Sequence, residues 1–225
     1  MLRINQGGLH VHFANAYTIA LADLNPDYRS LLREGLVFPD GKPISWFSKL
    51  FRHSPPLQQV RGPQFFLDCI GEGRSAGVRH FLLGSTPETL DRLQIQLLKR
   101  FPGAKIVGTL SPSFGVRTLE ELAADDRLIH EALPDVVWVA LGTPKQDFEA
   151  RRLARNLEIV AVAVGAAFDF AAGTVPEAPR WVRTAGFEWL FRLLTEPRRL
   201  WRRYIFGNTR FLIAMCKQLR GRKAS

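Results

Sequence analysis

Several short stretches of this sequence put chemically useful side chains where an apolar run gives way to a turn or helix. Asp40 sits in Phe38-Pro39-Asp40-Gly41-Lys42-Pro43. Pro-Asp-Gly reads either as a plain turn or as a carboxylate presented at a strand end. Gly142-Thr143-Pro144-Lys145-Gln146 stands before a helical pattern. Backbone amides at such a helix start can meet an anion, with Lys145 adding charge or simply being solvated. The spacing is not that of a P-loop, which argues against triphosphate hydrolysis. Asp169 follows the glycine-bearing run that begins at Gly165 and precedes Gly173. It reads either as a second catalytic or ribose-binding acid, or as the residue that orders the Gly173 loop. Asn15 closes the first apolar run.

Metal chemistry has little support. The sequence contains no Asp-x-Asp triplet, and His10, His12, His53, His80 and His130 do not cluster at ligand spacings. His10 and His12 would share one face of a strand, which reads as a coincidence of spacing. No metal and no cofactor is expected. Cys69 and Cys216 fit no metal or redox spacing, so a reducing, cytoplasmic setting without a structural disulfide is expected.

The elements that must position these groups follow from apolar patterning. Residues 9–15, 80–83, 105–109, 136–141 and 159–164 form short runs rich in Val, Ile, Leu and Phe, as strands buried on both faces of a parallel sheet require. Helical patterns fall at 17–33, 65–73, 87–100, 118–133 and 146–156. Thr86-Pro87-Glu88 has the composition of a helix start. The alternation predicts an α/β fold: a Rossmann-like, doubly wound, mostly parallel sheet, with ligands at the carboxyl ends of its strands. That fold hosts many activities and selects none of them.

Charge is distributed unevenly. The chain of 225 residues carries a formal +10, with 46% hydrophobic and 23% charged residues. Residues 186–225 hold ten Lys/Arg against Glu188 and Glu196, which is +8. The chain therefore divides into a near-neutral core, 1–185, and a basic helical appendage, 186–225. On a helix, Arg198, Arg199, Arg202 and Arg203 share one arc of roughly 140°, with Leu200, Trp201 and Tyr204 on the opposite arc. Glu196-Pro197 suits a first helical turn, and Gly207-Asn208 reads as a break and a new cap. No apolar run approaches the ~20 residues that span a bilayer. A basic helix of this kind fits the membrane interface, a nucleic-acid surface or ordinary packing on its own domain, the first being favoured. The first residues lack the pattern of a signal peptide.

The ordered set of motifs resembles the WecG/TagA/CpsF glycosyltransferases, glycosyltransferase family 26, over roughly residues 12–204. The resemblance rests on VALGTPKQDFEARR (139–152), VGAAFDFAAGTVPEAPRWVR (164–183) and GFEWLFRLLTEPRRLWRRY (186–204). Pro39-Asp40-Gly41, Arg61-Gly62 and FLLG (81–84) fall in the matching order. It implies inverting transfer of a sugar from a UDP-sugar to a polyprenyl-diphosphate-linked saccharide, in bacterial cell-surface polysaccharide synthesis; the missing metal motifs add the expectation that the transfer is metal-independent. By motif, Asp40 would be the general base and Asn15 a second catalytic residue in the pocket, with Arg61 and Gln146 binding substrate there. Gly142, Lys145 and Asp169 join them as substrate-binding candidates from their strand-end positions. Arg192, Arg199 and Arg202 would hold the lipid diphosphate. The expected partners are the UDP-sugar donor, the lipid-linked acceptor and an anionic membrane surface, with no nucleic acid. The expected location is cytoplasmic, peripheral to the inner face of the plasma membrane. A homo-oligomer is compatible with all of this.

The chain departs from the family pattern in three places. Phe13 stands where many relatives carry a Thr two residues before the pocket Asn. Ser111-Pro112-Ser113-Phe114 replaces a Gly-aromatic-Phe element. Fourteen residues precede Asn15, so upstream edge strands are absent or the start is late. Phe13 and the altered central loop support one alternative, a catalytically degenerate nucleotide-sugar-binding protein. The sugar itself is left open among N-acetylmannosamine, glucose and glucuronic acid.

Overall fold

A computed structural model describes residues 8–50, 55–113 and 115–223, except for the side chains of 199 and 218–223. His53 and Phe114 lie outside the described residues. In chain order the elements are β1 (Leu9–Ala14), α1 (Ala16–Leu24), α2 (Pro26–Glu34), β2 (Leu36–Pro39), α3 (Lys42–Leu50), α4 (Gly62–Glu72), β3 (Arg79–Gly84), α5 (Pro87–Arg100) and β4 (Lys105–Leu110). They continue with α6 (Leu119–Glu131), β5 (Val136–Ala140), α7 (Lys145–Leu157), β6 (Val160–Ala163), α8 (Ala167–Ala172), α9 (Arg180–Thr184), α10 (Glu188–Thr195) and α11 (Pro197–Lys223).

The strands form one sheet in the order β2-β1-β6-β5-β3-β4. The β1–β6, β6–β5, β5–β3 and β3–β4 pairs are parallel, with Leu9 opposite Val160, Val136 opposite both Val160 and His80, and Arg79 opposite Lys105. This is the α/β, Rossmann-like architecture that the strand and helix periods predict. Each predicted strand is present within a residue or two of its expected ends.

The chain divides into two compact units. One gathers the N-terminal segment through His12, Glu34–Leu36 and Gly62–Pro176; the other gathers Phe13–Arg33, Val37–Arg61 and Glu177–Ser225. In the first unit, alternate residues of the central strands face different layers. Phe81, Leu83, Val137 and Val139 pack with Ile129 of α6 and with Ala150, Leu153 and Ala154 of α7. Trp138, pointing the other way and 1% exposed, meets Phe66 of α4 edge-on at 5.0 Å. Phe66 in turn lies 5.5 Å from Phe168 of α8. Burial of Trp138 leaves its indole N–H needing an acceptor, and His80 Nδ1 supplies one at 3.2 Å. Desolvation pushes the His80 imidazole down to about 4, which keeps it neutral and able to accept.

In the second unit α11 lies against α1. Phe211 and Met215 form a small core with Ala16, Ile19, Ile44, Phe47 and Ala214, and Phe47 meets Phe211 edge-on at 5.2 Å. Gly207 does not break the helix as the sequence reading expects. A Cβ there would stand 3.0 Å from Tyr17 Cδ2, so the missing side chain lets two helices approach closely, and α11 runs unbroken from Pro197 to Lys223. The expected helix at 17–33 is instead two. Asn25 accepts from Tyr28 N at 3.1 Å, and Pro26 occupies the first position of α2, where an amide is not needed. Strand β2, only four residues long, and helix α3 escape sequence periodicity altogether.

Candidate active site

The candidate residues divide between the two units. In the second, Asn15 and Asp40 directly follow the carboxyl ends of β1 and β2. Asp40 N donates to Ala14 O at 2.6 Å, and a Cβ on Gly41 would lie 4.0 Å from that of Asn15, so the two segments are side by side. Asn15 has a full local explanation: it caps α1, its Oδ1 accepting from Tyr17 N at 3.0 Å and Thr18 N at 3.2 Å. Thr18 Oγ1 accepts from Asn15 N at 3.3 Å, closing a capping box. Phe13 stacks on Phe38 at 5.8 Å, an aromatic contact that the family's Thr would not make.

Asp40 is the residue whose environment most favours reactivity. The residue as a whole is half-buried, but its carboxyl is withdrawn from water, and this desolvation is the largest influence raising its pKa. The Glu188 carboxylate raises it further. Arg61, Arg192 and a hydrogen bond from Gln59 pull it back. The balance carries Asp40 from 3.8 up to about 7. A carboxylate near neutrality can both take a proton and exist ionised at working pH, as a general base must.

Arg61 stands next to this acid in a dense ion-pair cluster. Its Nε and Nη2 donate to the two oxygens of Glu188 at 3.2 and 2.9 Å, and Nη2 also meets Glu177 Oε1 at 2.8 Å. The same Glu177 oxygen also accepts from Arg183 Nη1 at 2.6 Å. Burial alone would lower the Arg61 pKa, but the bonds and charge of Glu188, then of Glu177, outweigh it and hold the guanidinium above its ordinary value. Glu177 and Glu188 are missed by sequence reasoning, which registers Glu188 only as a charge opposing the tail arginines.

The first unit holds Gly142, Lys145, Gln146 and Asp169. Gly142 and Lys145 are exposed, while Gln146 is buried. Gln146 Oε1 accepts from Gly142 N at 3.1 Å, and a Cβ on Gly165 would come within 3.2 Å of the same oxygen. The Gln146 side chain thus bonds the loop after β5 and passes close to Gly165 after β6, where the missing Cβ leaves it room and φ is 57°. Asp169 lies in the first turn of α8. Its backbone carbonyl accepts from Thr174 N at 3.0 Å and from Thr174 Oγ1 at 3.1 Å, so the main chain of Asp169 orders the Gly173 loop. Ser111 Oγ donates to Ser85 O at 2.8 Å, linking the loops after β3 and β4 where the family's aromatic element is missing.

Beneath the Lys145 loop runs a buried polar chain. Asp147 Oδ1 accepts from His12 Nδ1 at 2.8 Å, which leaves His12 Nε2 to accept from His10 Nδ1 at 2.7 Å. The His10–His12 spacing is thus a hydrogen-bonded pair rather than a coincidence. The available signal was the shared strand face, but the partner acid lies 135 residues away. His10 is pushed down to about 4, first by burial and then by the charge of His12; Glu34 opposes this, and Arg151 and Arg155 add to it. Among the described residues no group of three or more His, Cys, Asp or Glu is arranged to hold a metal.

The three arginines of the C-terminal basic segment are placed differently from one another. Arg192 is largely covered and lies 3.9 Å from Glu196. Arg202 is exposed, its guanidinium 5.2 Å from the centre of the Trp201 ring. Arg199 lies in α11, and its side chain is outside the described residues. Leu200, Phe211 and Met215 are buried along one face of α11. Trp201, Ile205, Phe206 and Leu212 are exposed on the arc that carries Arg202, so Trp201 does not share the packed arc of Leu200. Among the described residues no helix is long and apolar enough to cross a membrane.

Comparison with known proteins agrees with these motifs. A family model described as Glycosyl transferase WecG/TagA/CpsF family matches residues 1–225. Over 185 residues the chain is 34% identical to the N-acetylglucosaminyldiphosphoundecaprenol N-acetyl-beta-D-mannosaminyltransferase of Bacillus spizizenii, covering 80% of this chain and 68% of that protein. The match along the whole chain and the identity to this relative give one conclusion: the chain belongs to the WecG/TagA/CpsF family of glycosyltransferases.

Proposed function

We propose that this glycosyltransferase moves a sugar from a UDP-sugar to a polyprenyl-diphosphate-linked saccharide, with inversion and without a metal ion. The observation that carries the reading is Asp40, a carboxylate raised to about 7 beside Arg61 and Arg192. Asp40 takes the proton from the acceptor hydroxyl as that oxygen attacks the anomeric carbon, and the sugar–phosphate bond breaks on the opposite side. Positioned proton transfer of this kind supplies about 10²–10⁴-fold in rate. Backbone amides of the Gly142–Gln146 loop, with Lys145, stabilise the departing diphosphate; Asp169 contacts the donor. Asn15 shapes the base's surroundings through the α1 cap.

Arg192, Arg199 and Arg202 take the acceptor diphosphate, for which a guanidinium fork is geometrically suited. Residues 186–225 act as an appendage that rests on an anionic membrane face from the cytoplasmic side, with Trp201, Ile205 and Phe206 entering the interface. The Bacillus relative is named for transfer of N-acetylmannosamine to N-acetylglucosaminyl-diphosphoundecaprenol, so that pair is the first donor and acceptor to try.

The test is UDP release from a panel of UDP-sugars with a short-chain polyprenyl-diphosphate N-acetylglucosamine acceptor, in EDTA, for wild type and Asp40→Asn. Acceptor-dependent release that Asp40→Asn abolishes supports the reading. Donor binding without release from any pairing points instead to a degenerate nucleotide-sugar-binding protein. Release that stops in EDTA and returns with a divalent cation overturns the metal-free mechanism.

A further inference from the structure

Asp40 does not gain its surroundings from its own loop alone. Pro39 O accepts from Val60 N at 2.8 Å, which joins the end of β2 to the residue before Arg61. Arg61 then reaches across 127 residues of sequence to grip both oxygens of Glu188. Glu188 is the first residue of α10, a position where a carboxylate is favoured by the helix dipole. A two-point fork between planar groups fixes orientation as well as distance. The chain of contacts therefore runs from the base's strand end, through Val60 and Arg61, to the first turn of the helix that opens the appendage.

We propose that Glu188 is a positioning residue for the transfer reaction: its fork with Arg61 fixes that guanidinium and sets the electrostatic surroundings of Asp40. The proposal rests on the reading of Asp40 as the base. Glu188 acts in two ways. It neutralises Arg61, which would otherwise hold Asp40 ionised and weakly basic, and its own negative charge opposes ionisation of Asp40 directly. The other groups acting on Asp40 are Arg192 on α10 and Gln59 beside Arg61. Glu177 shares Arg61 Nη2 with Glu188 and pairs with Arg183, and Tyr204 of α11 feels both Glu188 and Arg192. Glu177 meets Arg61 through one nitrogen, whereas Glu188 holds both Nε and Nη2 and also acts on Asp40 directly, so the fork to Glu188 carries the larger effect.

The experiment follows the Asp40 carboxyl by ¹³C NMR across pH, in parallel with the pH dependence of kcat/KM, for wild type, Glu188→Gln, Glu177→Gln and Arg61→Gln. Glu188→Gln is expected to lower the Asp40 midpoint by about one unit or more, and the acid limb of kcat/KM by the same amount. Arg61→Gln is expected to raise the midpoint, and Glu177→Gln, which frees only one contact of Arg61, to lower it by less than Glu188→Gln does. An unchanged midpoint in Glu188→Gln overturns the proposal, as does an equal shift in Glu177→Gln. If Glu188→Gln does not fold, Arg61→Gln decides: a midpoint that fails to rise overturns it. A midpoint that moves while the limb of kcat/KM stays in place supports the role of Glu188 and refutes Asp40 as the base.

Discussion

Two polar clusters of this molecule contain a carboxylate that leaves bulk water, and they treat it in opposite ways. In the first unit Asp147 is 3% exposed and ends a closed chain, His10 to His12 to Asp147, in which each donor has an acceptor. In the second, Asp40 shares its surroundings with another acid, Glu188, while the nearby Arg61 is occupied by Glu188 and Glu177. A matched donor satisfies a buried carboxylate; a like charge and a preoccupied cation leave it hungry for a proton. The first arrangement holds β1 to the start of α7. The second keeps the proton affinity of Asp40 high.

That contrast can be broken in order of effect. Asp40→Asn should cut kcat by about 10²–10⁴-fold while leaving the fold intact, checked by acceptor-dependent UDP release and by circular dichroism. A variant that loses its fold instead would place Asp40 with Asp147 as a structural acid. Asp147→Ala should do the reverse. It strands a buried imidazole, which costs ~1–3 kcal/mol and lowers Tm by several degrees, with the kcat of the surviving folded enzyme near wild type. A large kcat loss at unchanged Tm would show that the histidine chain takes part in turnover.

The pH dependence separates the clusters by sign. Asp40 binds its proton more tightly folded than unfolded, about 7 against 3.8, so its contribution to stability is full below about 4 and is lost as pH rises through 7. Asp40→Asn should therefore be more thermostable than wild type at pH 8 and no more so at pH 4. His10 is the opposite case, about 4 folded against 6.5, so its contribution is full above 6.5 and is lost as pH falls toward 4. His10→Gln should flatten the acid side of the Tm–pH curve. Identical slopes in wild type and both variants would contradict both assignments. In the same pH range kcat/KM should rise with pH, with a midpoint near 7 where Asp40 ionises. The smallest effect is at the appendage. Arg202→Gln should weaken binding to phosphatidylserine-containing vesicles by about 5-fold, the ~1 kcal/mol of one surface cation, and the loss should shrink in high salt.

Much of this was legible from residue types alone. Continuous runs such as Val-Val-Trp-Val-Ala have one comfortable place, a strand covered on both faces, and the parallel sheet follows. The tail's charge is a property of composition, and the Pro-Asp-Gly and Gly-Thr-Pro-Lys-Gln motifs stand in the chain whatever it folds into. Even the His10–His12 alignment was visible as a period of two. What local patterning did not carry was the identity of partners. Gly207 looks like a helix breaker until Tyr17 is found 3.0 Å from where its Cβ would be. Asp40 in its turn is an ordinary acid until Glu188, Arg61 and Arg192 surround it. The pairing of β1 with β6, the fork between residues 61 and 188, and the action of Glu188 and Arg192 on Asp40 all join groups more than a hundred residues apart. Hydrophobic period and local charge are written along the chain, whereas desolvation and Coulomb interaction act through space and exist only once the fold has closed.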